Sequence, residues 1–70
     1  MICTKVYEDS RGWRFTVLPG LGGSNYSVFY RKPGKNWHSV RAVPWFDTID
    51  EARQALIDYA EKHKMTAVNG

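Results

Sequence analysis

The chain predicts an α+β domain: a three-stranded antiparallel β-meander followed by one C-terminal α-helix packed on one of its faces. Three observations point there. Apolar residues alternate along 13–17 and again along 26–30, the period of half-buried strands. Glycine- and proline-bearing turns separate the alternating segments at 19–25 and 32–35. Then the period changes, and apolar residues from Ala52 onward recur three and four apart behind a helix-start signature at Thr48 and Glu51.

In order, residues 1–10 read as an extended N-terminal segment, with weak alternation over 4–7. Asp9-Ser10-Arg11-Gly12 reads as a turn. The strand at 13–18 places Trp13, Phe15 and Val17 on one face, Arg14 and Thr16 on the other. The loop at 19–25 contains three glycines, but a phosphate-binding loop ends in Gly-Lys-Ser/Thr and opens a helix, whereas a strand follows here. That second strand, 26–31, has Tyr26, Val28 and Tyr30 on one face, read toward the helix, and Ser27, Phe29 and Arg31 on the other; Phe29 is as good a core residue as Tyr30, which leaves the phase open. Lys32-Pro33-Gly34-Lys35 fits a type II turn. A third strand over 37–43 ends at Pro44, which cannot continue a ladder. Trp45 and Phe46 anchor the junction to the helix, predicted from Ile49 to about Lys64. Thr48 and Glu51 form a capping box there, and Asp50 with Glu51 complements the helix dipole. Asp58 and Lys62 stand in the favourable i, i+4 order. Residues 65–70 read as a tail, frayed or forming a short edge strand.

Seventy residues support one domain and no second core. With a single cysteine, Cys3, no disulfide forms within the chain, and an unpaired thiol points to a reducing, cytoplasmic setting. Three Trp, four Tyr and three Phe supply the bulk that stabilises so short a chain. No apolar stretch approaches the roughly 20 residues of a membrane span, and no signal-like run opens the chain. The protein is expected as a monomer or weak dimer.

Catalytic chemistry finds no support. Cys3, His38 and His63 fall on separate elements, without the spacing of a nucleophile–base pair or a metal site. Asp50 and Glu51 are explained by capping. No catalytic residue, metal or cofactor is expected.

Charge is the informative feature. Through Pro44 there are seven basic residues against two acidic; from Trp45 onward, three against five. On a meander, Arg14, Arg31 and Arg41 fall on adjacent strands of the face opposite the helix, with Lys32 and Lys35 at the hairpin tip and Phe29 and Trp37 interleaved. Guanidinium groups contact phosphates and guanine edges, and aromatics stack on bases. The same aromatics and arginines suit a protein interface.

The junction Phe46-Asp47-Thr48-Ile49-Asp50-Glu51-Ala52 resembles the aromatic-x-Thr-x-x-Glu-Ala helix start of the N-terminal arm-type DNA-binding domains of tyrosine recombinases, the integrases of phages and transposons. Phe46, Thr48, Glu51 and Ala52 match, and Trp13-Arg14-Phe15 is similar to that family's aromatic-basic first strand. The likeness spans roughly residues 11–64 as architecture and four positions as motif. Pro44-Trp45 departs from the continuous basic strand of the family, and no recombinase catalytic domain follows. The resemblance implies a sheet laid in the DNA major groove, with Arg14, Arg31 and Arg41 toward DNA.

The expectation is therefore a non-catalytic nucleic-acid-binding module, with double-stranded DNA favoured. Its site residues would be Arg14, Arg31, Lys32, Lys35, Arg41, Phe29 and Trp37. The alternative is a protein-binding regulator or inhibitor, of phage or mobile-element type, acting on a host protein.

Overall fold

A computed structural model describes residues 6–68. Their order is β1 (Val6–Glu8), β2 (Arg14–Pro19), β3 (Tyr26–Arg31), β4 (His38–Ser39), α1 (Ile49–Lys62) and β5 (Thr66–Val68). Cys3, the start of the predicted 4–7 segment and the last two residues lie outside the described ones. The α+β class with one helix is as expected, but the sheet has five strands rather than three, all antiparallel, in spatial order β4-β3-β2-β1-β5. Both additional strands lie beyond β2, and β5 comes from the stretch read as a tail.

The β2–β3 ladder settles the phase that Phe29 left open. Phe15 faces Tyr30 and Val17 faces Val28 on one side of the sheet, while Arg14 faces Arg31 and Thr16 faces Phe29 on the other. Alternating bulk buries the first set under α1. Phe15, Val17 and Val28 join Val40, Ala52 and Leu56 in the core, flanked by Tyr26, Tyr30, Ile49 and Tyr59. Ala52, Leu56 and Ala60, successive i, i+4 positions, are the buried stripe of the helix.

The third predicted strand is corrected. Only His38 and Ser39 form a ladder with β3, opposite Tyr30 and Phe29. The Val40 N–H still donates to the Val28 carbonyl, but a turn follows, with the Val43 N–H bonded to the Val40 carbonyl. Pairing resumes at Phe46, which exchanges two backbone hydrogen bonds of 2.8 Å with Tyr26. The chain between Val40 and Phe46 thus leaves the sheet, and Pro44, without an N–H, lies on this stretch where no ladder bond is asked of it. Arg41 and Ala42 lie on this excursion and are exposed, so Ala42 is not on the covered face.

The helix starts at the predicted cap but shares the work differently. Thr48 Oγ1 accepts from the Glu51 N–H at 3.3 Å, and its hydroxyl donates to the Glu51 carboxylate at 2.9 Å. The glutamate reaches the threonine side chain rather than the backbone N–H that a full capping box would use. Asp58, expected to pair forward with Lys62, accepts from Gln54 one turn earlier.

At the other end the Lys64 N–H bonds the Glu61 carbonyl and the Met65 N–H bonds the Ala60 carbonyl, the paired bonds of a Schellman turn. Lys64 occupies its left-handed position at φ 54°. This turn, made without the usual glycine, reverses the chain into β5 against β1.

Candidate functional site

Two sides of one end of the sheet carry the basic residues. On the side away from α1, Arg31, Arg14 and Glu8 form a row across three strands, Arg14 being the cross-strand partner of both others. Arg14 Nε lies 3.4 Å from a Glu8 carboxylate oxygen. Both arginines are exposed, and Arg31 also lies over the Trp37 ring at 5.9 Å. Like charges directly opposite each other destabilise a sheet. The pairing is therefore not explained by folding alone.

Further along the same side the expected open face is closed. Trp45 packs edge-on against Phe29, ring centres 5.8 Å apart, so Phe29 is only partly exposed. Ser27, expected on the surface, is 0% exposed and donates its hydroxyl to the Pro44 carbonyl at 3.2 Å. Thr16, also expected on the surface, is buried. The excursion from the sheet covers Phe29 and Ser27, since it lays Trp45 and Pro44 against them. Trp37 is half-buried on the β3–β4 connection rather than within a strand.

Lys32 and Lys35 bracket the β3–β4 turn, closed by a Lys35 N–H to Lys32 carbonyl bond of 3.0 Å with Gly34 at φ 75°, as the Pro-Gly pair predicts. Lys32 joins Arg14 and Arg31 along a groove of about 450 Å³. It joins Lys35, Tyr30 and His38 around a smaller hollow of about 210 Å³ on the other side of the turn.

Arg41 is the site residue whose expected position changes most. It does not stand beside Arg14 and Arg31; it lines a cleft of about 460 Å³ on the helix side of the sheet. Buried Phe15 and Val40 form the floor, and Trp13, Tyr30 and Tyr59 stand around it. Trp13 and Tyr30 are stacked, 5.6 Å apart and inclined by 17°. Tyr59, on α1, meets Phe15 at 5.5 Å. Arg11, Arg41 and His38 are the exposed groups at the rim.

Asp9 builds this rim. One carboxylate oxygen accepts the Arg11 and Trp13 N–H groups at 2.9 and 3.0 Å, and the other accepts the Arg11 guanidinium at 2.7 and 3.0 Å. The guanidinium is thereby held 3.8 Å over the Trp13 ring. Burial of Asp9 favours its neutral form, but the hydrogen bonds from Arg11 and Trp13 prevail and keep its carboxyl below the ordinary value. Lys32 approaches Trp13 as well, at 4.9 Å.

The structure thus keeps Arg14, Arg31 and Lys32 together, with Lys35 across the turn, and separates Arg41 from them. The sequence reading did not single out Arg11, Trp13, Tyr30 and Tyr59, which line the cleft with Arg41. The available signal was Asp9-x-Arg11-Gly12-Trp13, a turn that returns an arginine onto the next aromatic. Among the described residues, no group of three or more His, Cys, Asp and Glu side chains is arranged to hold a metal ion. No helix there is long and apolar enough to cross a membrane. Compared with known proteins, the chain matches no family model, no curated protein and no solved structure.

Proposed function

We propose that the chain is a non-catalytic nucleic-acid-binding module that engages the phosphate backbone with Arg14, Arg31, Lys32 and Lys35. The observation that carries this reading is the direct cross-strand pairing of Arg14 with Arg31, extended by Lys32 along one groove. Arg14 and Arg31 put like charge on directly opposed strand positions, and a phosphate bound by both would offset that repulsion. Glu8 pairs with Arg14 from the β1 side and lines the same groove, so it offsets part of that positive charge. The likeness to the recombinase arm domains supports DNA as the polymer, although Trp45 and Pro44 over Phe29 and Ser27 leave the strand ends and hairpin rim, not a flat sheet, as the contact surface.

The test is fluorescence anisotropy of labelled DNA at low and physiological salt. Dissociation constants in the roughly micromolar range, weakening steeply with salt, are expected. Substituting Arg14 and Arg31 together by alanine should weaken binding and flatten the salt dependence by about two phosphate contacts. No binding even at low salt would discard the reading.

A second reading, binding of a protein partner, draws on the opposite end of the β2–β3 pair. There Leu21 is fully exposed and Trp45 is 47% exposed. Exposed apolar side chains of this size serve as interface anchors. A regulator acting on a host protein would use them, and Trp45→Ala would then cost at least about 1 kcal/mol of partner affinity.

A further inference from the structure

We infer that the cleft on the helix side of the sheet and the small hollow beside it form a second phosphate path, with Arg41 as its principal cation. The inference rests on the nucleic-acid reading above and extends it. The bound polymer would contact both sides of the β3–β4 turn, not only the groove of Arg14 and Arg31. The two hollows adjoin, since Tyr30 and His38 line both. Lys32 lines the small hollow and the Arg14–Arg31 groove alike, so the path continues around the turn.

Charge balance sets the helix-side path apart. Glu8 lines the groove and pairs with Arg14, whereas no Asp or Glu lines the cleft or the small hollow. Arg41, Lys32 and Lys35 are exposed there, and among the described residues none of them forms an ion pair. Arg11 differs, because Asp9 binds its guanidinium and offsets its charge. It adds its remaining N–H groups to the rim, already held in place, but little net charge. Neutral donors complete the lining. Among the described residues, the side chains of Ser39, His38, Tyr30 and Tyr59 have no hydrogen-bond partner. A cation beside such donors is what phosphate oxygens require, and arginine can engage them bidentately. Ring faces are not needed. Trp13 is already packed between Tyr30 and the Arg11 guanidinium, and Tyr59 against Phe15 and His63, which holds the walls of the cleft in place.

The test measures labelled mixed-sequence duplex DNA by anisotropy across a salt series. The chains compared are wild type, Arg41→Gln, Arg41→Lys and the double variant Arg14→Ala with Arg31→Ala. Circular dichroism checks each fold. Arg41 is exposed and makes no side-chain hydrogen bond or ion pair within the described chain, so its variants are expected to fold. Arg41→Gln should weaken binding about fivefold and lower the salt slope by about one phosphate, while Arg41→Lys keeps the slope. Amide shifts on adding inorganic pyrophosphate give a second readout that needs no variant; the largest should fall at Ser39, Val40 and Arg41. Unchanged affinity and slope in Arg41→Gln, with weakening in the double variant, would overturn the helix-side path and leave the Arg14–Arg31 reading standing. Pyrophosphate shifts confined to Arg14 and Arg31 would do the same. Absence of DNA binding by the wild-type chain at low salt would overturn both.

Discussion

Arg14 and Arg31 are direct cross-strand partners on the side of the sheet away from the helix, with Glu8 adjacent to Arg14 alone. Two cations opposed in this way destabilise the sheet by up to about 1 kcal/mol relative to a neutral pair. Replacing Arg31 by threonine, a good strand former, should therefore stabilise the fold by about 0.5 kcal/mol in urea melts. Nucleic-acid affinity should fall at the same time. A variant that loses stability and keeps full affinity would show that the arginine pair serves packing, with Arg31 acting through Trp37.

Asp9 predicts a specific acid response. Its carboxyl titrates lower in the folded chain than in the unfolded one, because Arg11 and two backbone N–H groups favour the charged form. The unfolded chain therefore takes up the proton first as pH falls. The stability Asp9 contributes is complete above the ordinary aspartate pKa of about 4 and is lost as pH drops through the folded value. Asp9→Asn should destabilise the protein at pH 7, and the gap to wild type should narrow in urea melts below about pH 4. A gap that stays constant with pH would mean that the carboxylate charge contributes nothing and only the turn geometry matters.

The sequence reading succeeded where local pattern and tertiary packing agree. Alternation over β2 and β3 assigned Phe15, Val17 and Val28 to the core, and the Thr48 signal set the start of the helix. It failed where the chain leaves the ladder and comes back. Pairing stops after Val40, loops out through a turn and Pro44, and returns at Phe46, which moves Arg41 to the helix side and Trp45 to the other. Polar Thr16 and Ser27 obey the alternation rule and are nonetheless buried, because the rule cannot say what will cover the second face. The edge strand β5 stood as one of two readings, beside a frayed end, because Lys64 stands where a helix-ending turn normally has glycine. The cleft was hidden for a related reason: Arg11, Tyr30 and Tyr59 are far apart in sequence, and the β2–β3 ladder and the packing of α1 together bring them to one opening.

Gly20 is required by space rather than by backbone freedom, since its φ of −79° suits any residue. A methyl group there would sit 2.8 Å from the Trp45 ring and 2.5 Å from Asn25 Oδ1. Gly20→Ala should therefore push Trp45 off Phe29, at a cost of about 1 kcal/mol or somewhat more. Thermal melts would give the loss, and a red shift of tryptophan emission would report the displaced ring. If the T-shaped contact matters to stability mainly through Trp45, then Trp45→Ala and the double variant should be equally stable. Additive losses would instead locate the strain at Asn25.

Lys64 offers the opposite kind of change, a gain. Its φ of 54° places a side-chain-bearing residue in the left-handed region, which costs an L-residue roughly 1–2 kcal/mol and glycine much less. The backbone bonds that define the turn, Lys64 N–H to Glu61 and Met65 N–H to Ala60, do not involve the lysine side chain and survive its removal. Glycine gives back part of the gain through its greater freedom in the unfolded chain, so Lys64→Gly should stabilise the protein by about 0.5–1 kcal/mol. Because this turn feeds β5 onto β1, the gain should appear as slower amide exchange at Tyr7, whose partner on β5 is Ala67, as well as in the melting temperature. A destabilised variant would mean that the lysine charge, placed after the last helical carbonyls, outweighs the backbone strain it carries.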